Sequence, residues 1–105
     1  MINEQTKEII YRKAVNRFGK LDQLIVATEE LSELQKELCK TLRGKMNIDN
    51  IAEEIADVEI MLSQLHIIFN IDYDIEKQKQ TKLERLSKMI EEIFFLWYNF
   101  TRWRC

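Results

Sequence analysis

Apolar residues along the chain recur at helical rather than strand spacing. From Asn3 to Phe18 they fall at Ile9, Ile10, Ala14, Val15 and Phe18 and stop at Gly19, which predicts a first helix with a glycine breaker. From Leu21 to Leu42, Leu24, Ala27, Leu31, Leu34, Leu38 and Leu42 alternate at spacings of three and four, and "LRGK" closes the run with basic residues and Gly44. This second segment is expected to bury a leucine stripe. In the third, Asn50 and Glu53 resemble a capping box, and Ile51, Ile55, Val58, Leu62, Leu65 and Phe69 continue the stripe from a start near Asn50. After "NID", Asp72 is expected to cap a fourth helix through Ile75, Leu83, Leu86 and Ile90 into the dense run "IFFLWYNF".

The absence of proline and the presence of only two glycines favour long uninterrupted helices, so the expected class is all-α. Short connections make consecutive helices antiparallel neighbours, and a bundle follows, with helices two and three face to face. At 105 residues the chain is expected to form one domain over 1–105, a four-helix bundle completed by oligomerisation. An unusually apolar extension begins at about residue 88, and burial of Phe94, Phe95, Trp97 and Phe100 in an oligomer interface is its expected use. Arg102 and Arg104 behind that run leave membrane-surface attachment as the lesser alternative.

Charge narrows the function classes. Sixteen basic against eighteen acidic residues give a net charge of -2, which argues against nucleic acid or an anionic membrane as the main partner. No apolar run is long enough to span a bilayer, no signal peptide is evident, and Cys39 and Cys105 lack metal spacing, so a cytoplasmic protein is expected. Cys39 is expected to pack as a small hydrophobe in helix two, and Cys105 ends the chain. His66 is not part of a Glu-x-x-His pair of the di-iron bundle type and reads as a core-edge histidine.

The candidate chemistry lies in the acids. On a helix turning about 100° per residue, Glu54 and Asp57 fall roughly 60° apart and share an arc with Ile51, Val58, Met61 and Leu65. Both are expected to point into the buried seam. Glu30 and Glu33 repeat the i, i+3 spacing at the edge of the leucine stripe, with Glu29 farther round, so four acids can meet across one helix pair. Taken alone, such pairs are common on solvated helix faces. Four gathered carboxylates oppose one another's ionisation unless a cation compensates them. All-oxygen ligation suits a hard ion such as Mg²⁺ or Mn²⁺, whose open water positions phosphate oxygens can take.

With "EELSE" at Glu29 to Glu33 and "EIAD" at Glu54 to Asp57, the chain resembles the MazG-like all-α nucleoside triphosphate pyrophosphohydrolases, over roughly Phe18 to Leu86 and including the "RGK" turn. The resemblance implies four helices in dimers or tetramers, with Mg²⁺ held by Glu30, Glu33, Glu54 and Asp57 and bound to the triphosphate of a (deoxy)nucleotide. It implies attack of water on the α-phosphorus, giving a nucleoside monophosphate and pyrophosphate, in nucleotide-pool house-cleaning. Glu29 is the candidate for orienting or deprotonating that water, with a plain surface glutamate as its alternative. Lys82 and Arg85, and less strongly Lys79, resemble the basic positions that meet the phosphates, against the alternative of a solvated basic face.

The tail "EEIFFLWYNFTRWRC" departs from that pattern. Nucleobase recognition has no readable residue: Phe18 and Gln23 are conceivable, but core packing and helix surface explain them more simply. Two alternatives stay open. One is a catalytically silent helical bundle that uses the acids for metal-assisted assembly or partner binding. The other keeps the chemistry and changes the substrate, since related all-α enzymes act on dUTP, dCTP or phosphoribosyl-ATP.

Overall fold

The computed structural model describes residues 1–102. Arg104 and Cys105, invoked above for the tail, lie outside the described residues. The described chain is all-helical, in the order α1 (Glu4–Phe18), α2 (Lys20–Leu42), α3 (Ile48–Phe69) and α4 (Asp72–Arg102). It divides into two compact units, Met1–Asn70 and Ile71–Cys105.

Local chemistry sets each boundary in the first unit. The Asn3 side chain accepts from the Thr6 N–H at 2.8 Å and so caps α1. Gly19, at φ 93°, separates α1 from α2 in a conformation that a side chain would strain. At the far end of α2, the Lys45 N–H bonds to the Lys40 carbonyl at 2.9 Å and the Gly44 N–H to the Thr41 carbonyl at 3.0 Å. Gly44 at φ 81° makes this a Schellman close, the stop signalled by "LRGK".

α3 starts earlier than the sequence suggested. Its cap is Asn47 rather than Asn50, because the extended backbone at Asn47 lets its side chain accept from the Asn50 N–H at 3.1 Å. Asn50 therefore lies inside the first turn. The helix ends at Asn70, which adopts the left-handed conformation at φ 53°. Asp72 is likewise the first residue of α4 rather than its cap: the Ile71 carbonyl accepts from the Ile75 N–H at 2.9 Å. Asp72 and Asp74 put negative charge in the first turn, where the helix dipole favours it.

Within the first unit α2 and α3 form the most extensive pairing, and α1 packs more on α3 than on α2. The buried apolar residues are Val15 of α1, Ala27 of α2, and Val58 and Met61 of α3. The face α2 turns inward takes in only part of the expected stripe: Ala27 is buried and Leu24 and Leu34 are half-buried. Gln23, Ala27 and Glu37 are its buried residues, whereas Leu31, Leu38 and Leu42 are exposed. The Gln23 side-chain amide donates to the Gln64 side-chain oxygen, and this pairing satisfies both polar groups inside the seam. Cys39 is exposed, contrary to its expected packing, since it lies on the same outward face as Leu38 and Leu42.

α4 forms the second unit. It is a continuous 31-residue helix without a buried residue. Leu83, Leu86, Ile90, Phe94 and Trp97 are among its exposed large hydrophobic residues. No described helix is long and apolar enough to cross a membrane.

Candidate metal centre

The α2/α3 seam is antiparallel, and its register can be followed from one polar pair to the next. Gln23 meets Gln64, and seven residues on along α2 and seven back along α3 Glu30 meets Asp57. Glu54 stands nearly one turn before Asp57 on the same half-buried side of α3. Carboxylate oxygens of Glu30, Glu54 and Asp57 all lie within 4.8 Å of one another. Each of the three is half-buried.

This crowding carries an electrostatic cost. Burial, followed by the Asp57 charge and its hydrogen bond and then by the Glu54 and Glu33 charges, raises the Glu30 carboxyl above its ordinary range. Burial also raises Glu54, and the charges of Asp57, Glu33, Glu53 and Glu37 add to it. One oxygen of Glu54, Oε2, is buried without a hydrogen-bond partner. An orphaned carboxylate oxygen beside two other acids is the donor chemistry that a hard divalent cation satisfies, so the residues fit the expected ion.

Of the four ligands expected from the sequence, the structure brings Glu30, Glu54 and Asp57 together. Glu33 is exposed and outside the triplet, yet close enough that its charge acts on both Glu30 and Glu54. Glu29 is exposed, and its backbone carbonyl accepts from the Ser32 hydroxyl at 2.7 Å. Lys79, Lys82 and Arg85 are exposed on α4, outside the unit that carries the acids. The Lys79 ammonium lies 3.7 Å from Glu76.

Phe18 and Gln23 exchange the places expected for them: Phe18 is 60% exposed, and Gln23, at 6%, is among the most buried residues. Neither Gln64 nor Glu37 was singled out by sequence reasoning. Glu37 is buried, with one oxygen 3.2 Å from the Lys40 ammonium and the other, Oε2, buried without a partner. The available signal was a seven-residue spacing, Gln23, Glu30 and Glu37 on one helix against Asn50, Asp57 and Gln64 on the other. A separate groove of about 560 Å³ opens between α1 and another face of α3, lined by Ile10, Tyr11, Ala56 and Ile60 among others and by none of the triplet.

Searches of protein families, curated proteins and solved structures find no significant match to this chain.

Proposed function

We propose that the protein is a Mg²⁺-dependent nucleoside triphosphate pyrophosphohydrolase of the MazG-like type, acting as a homo-oligomer. The observation that carries this reading is the convergence of Glu30, Glu54 and Asp57 oxygens within 4.8 Å, with Glu54 Oε2 buried and unpartnered. Three half-buried carboxylates gathered together, with burial and neighbouring charge raising Glu30 and Glu54 above their ordinary range, are costly without a cation. The "EELSE" and "EIAD" motifs that deliver them resemble those of the pyrophosphohydrolases.

In this reading Glu30, Glu54 and Asp57 hold the ion, and Glu33 adds negative charge at the rim. Bound Mg²⁺ supplies neutralisation of charge on the phosphate oxygens and on departing pyrophosphate. Glu29, solvent-accessible and next to a ligand in sequence, orients the water that attacks the α-phosphorus. Lys82 and Arg85, with Lys79, all exposed on α4, are the cations that the resemblance implies for a triphosphate. The exposed apolar residues of α4 support association of copies, because so much uncovered aromatic and aliphatic surface is otherwise an aggregation hazard.

The test is pyrophosphate release from each common NTP and dNTP, and from phosphoribosyl-ATP, with and without Mg²⁺, for wild type and Glu54→Gln. Mg²⁺-dependent release that Glu54→Gln abolishes, with helical circular dichroism unchanged, is the expected result and names the base. Release from no nucleotide would overturn the reading in favour of cation-assisted assembly without turnover.

A further inference from the structure

The apolar residues of α4 follow a stricter spacing than an exposed helix face requires. Leu83, Leu86, Ile90, Ile93, Trp97 and Phe100 succeed one another at alternating spacings of three and four, the seven-residue repeat of a coiled-coil seam. Each is between 49% and 64% exposed. Met89, Phe94 and Leu96 flank the seam and are exposed too, while the charged residues Glu84, Arg85, Lys88, Glu91 and Glu92 take the other side of the helix.

With Phe94, the seam residues leave on the order of 800 Å² of surface uncovered per copy, the area each partner gives to a stable protein pair. A second copy of α4 supplies the same repeat, and charge and volume set the direction of the pair. The repeat continues upstream to Lys79 and Glu76, so a parallel pair would set each of these against its own copy at the seam. It would also stack Trp97 on Trp97 at one end and Leu83 on Leu83 at the other, which spaces the helices unevenly. The antiparallel pair overlaps the apolar stretches alone: Leu83 lies opposite Phe100, Leu86 opposite Trp97 and Ile90 opposite Ile93, with an aliphatic residue in every layer. Glu76 and Lys79 then fall outside it. An anionic membrane surface fits this stretch less well, since Lys82, Arg85 and Lys88 are matched by Glu84, Glu91 and Glu92.

We infer that α4 pairs with α4 of a second copy in an antiparallel seam running from Leu83 to Phe100. The inference rests on the reading that copies associate through α4, gives that association a direction and a register, and is independent of the acidic site on α2 and α3.

The experiment is sedimentation equilibrium of the full chain, together with double electron-electron resonance between spin labels on single cysteines, Lys77→Cys or Glu91→Cys, each in a Cys39→Ser, Cys105→Ser background. Wild type is expected to sediment as a dimer or a multiple of it at micromolar concentration. In the antiparallel pair the labels at 77 stand about 45 Å apart and those at 91, near the centre of the seam, about 25 Å or less; a parallel pair gives about 25 Å or less at both. Ile90→Glu puts a charge in the middle of the seam and should weaken association by about 100-fold or more. Lys88→Glu, on the far side of the helix, should change it by less than about 3-fold. The label distances keep the test decisive if Ile90→Glu loses its helical circular dichroism. Short distances at both positions would overturn the antiparallel register and leave association through α4 standing. A wild-type monomer, or an oligomer that Ile90→Glu does not weaken, would overturn the seam and that association together, and binding of the monomer to phosphatidylglycerol vesicles would give the face to a membrane instead. Pyrophosphate release tests the acidic site separately from all of these.

Discussion

The α2/α3 seam and α4 use their side chains in opposite ways. The seam buries Gln23, Glu37 and Gln64 and half-buries Glu30, Glu54 and Asp57, while α4 exposes Leu83, Leu86, Ile90, Phe94 and Trp97. A stability argument from one chain predicts the reverse distribution, since buried charge costs free energy and apolar burial supplies it. Both departures make sense if something outside the isolated chain completes each region. On the seam the proposed completion is a cation, and on α4 the proposed completion is another copy of the protein.

Activity should separate the two regions most sharply. Asp57→Asn removes one negative ligand while preserving shape, and pyrophosphate release should fall by about 100-fold or more, the scale seen when a preorganised electrostatic contact is lost. Lys79→Gln, on an exposed side chain already near Glu76, should change the rate by less than about 10-fold. Equal losses would mean that the acids and α4 contribute alike, and the contrast between them would collapse.

Much of this arrangement was legible in the sequence. Gly19 and Gly44 marked real helix ends, and the helix order followed from periodicity because each segment repeats its apolar residues over several turns. Glu54 and Asp57 were legible because their arc on α3 also holds Val58 and Met61, which are buried. The inward face of α2 was not. Leucines at three- and four-residue spacing suggested a stripe, of which Ala27 is buried, but the helix also turns Gln23 and Glu37 inward and leaves Leu31, Leu38 and Leu42 exposed. Burying Gln23 is tolerable only because Gln64 meets it from α3, and no reading of one helix alone contains that partner. The displaced start of α3 has a smaller cause: Asn47 and Asn50 are both competent caps, and backbone conformation selected the first.

Packing tests the same contrast at a lower energy. Met61 is 6% exposed, so Met61→Ala should destabilise the protein by about 2 kcal/mol or more in urea unfolding, through lost burial and the cavity left behind. Leu83 is 61% exposed, and Leu83→Ala should stay within about 0.5 kcal/mol in dilute protein. Its effect should grow with protein concentration if copies associate through α4, because assembly then contributes to the measured stability. A large, concentration-independent cost at Leu83 would contradict the assigned role of α4.

The smallest expected effect is a pH dependence confined to the seam. Glu30 and Glu54 both bind their protons more tightly in the folded chain than a free glutamate does, through burial first and the Asp57 charge next. A raised folded-state value gives stability that is fully present below the unfolded value, about 4.3 for glutamate, and that is lost as pH rises through the folded value. In chelator, the thermal midpoint should therefore fall by a few degrees on going from about pH 5 to about pH 7. Glu30→Gln should flatten that slope and lift the midpoint near neutrality, because a neutral amide has no ionisation to oppose. Saturating Mn²⁺ should reverse the sign for wild type, since the ion favours the charged carboxylates and binds better as protons leave. A midpoint in chelator that rises over the same pH interval, with Glu30→Gln tracking wild type, would show that the triplet's mutual repulsion does not govern the seam.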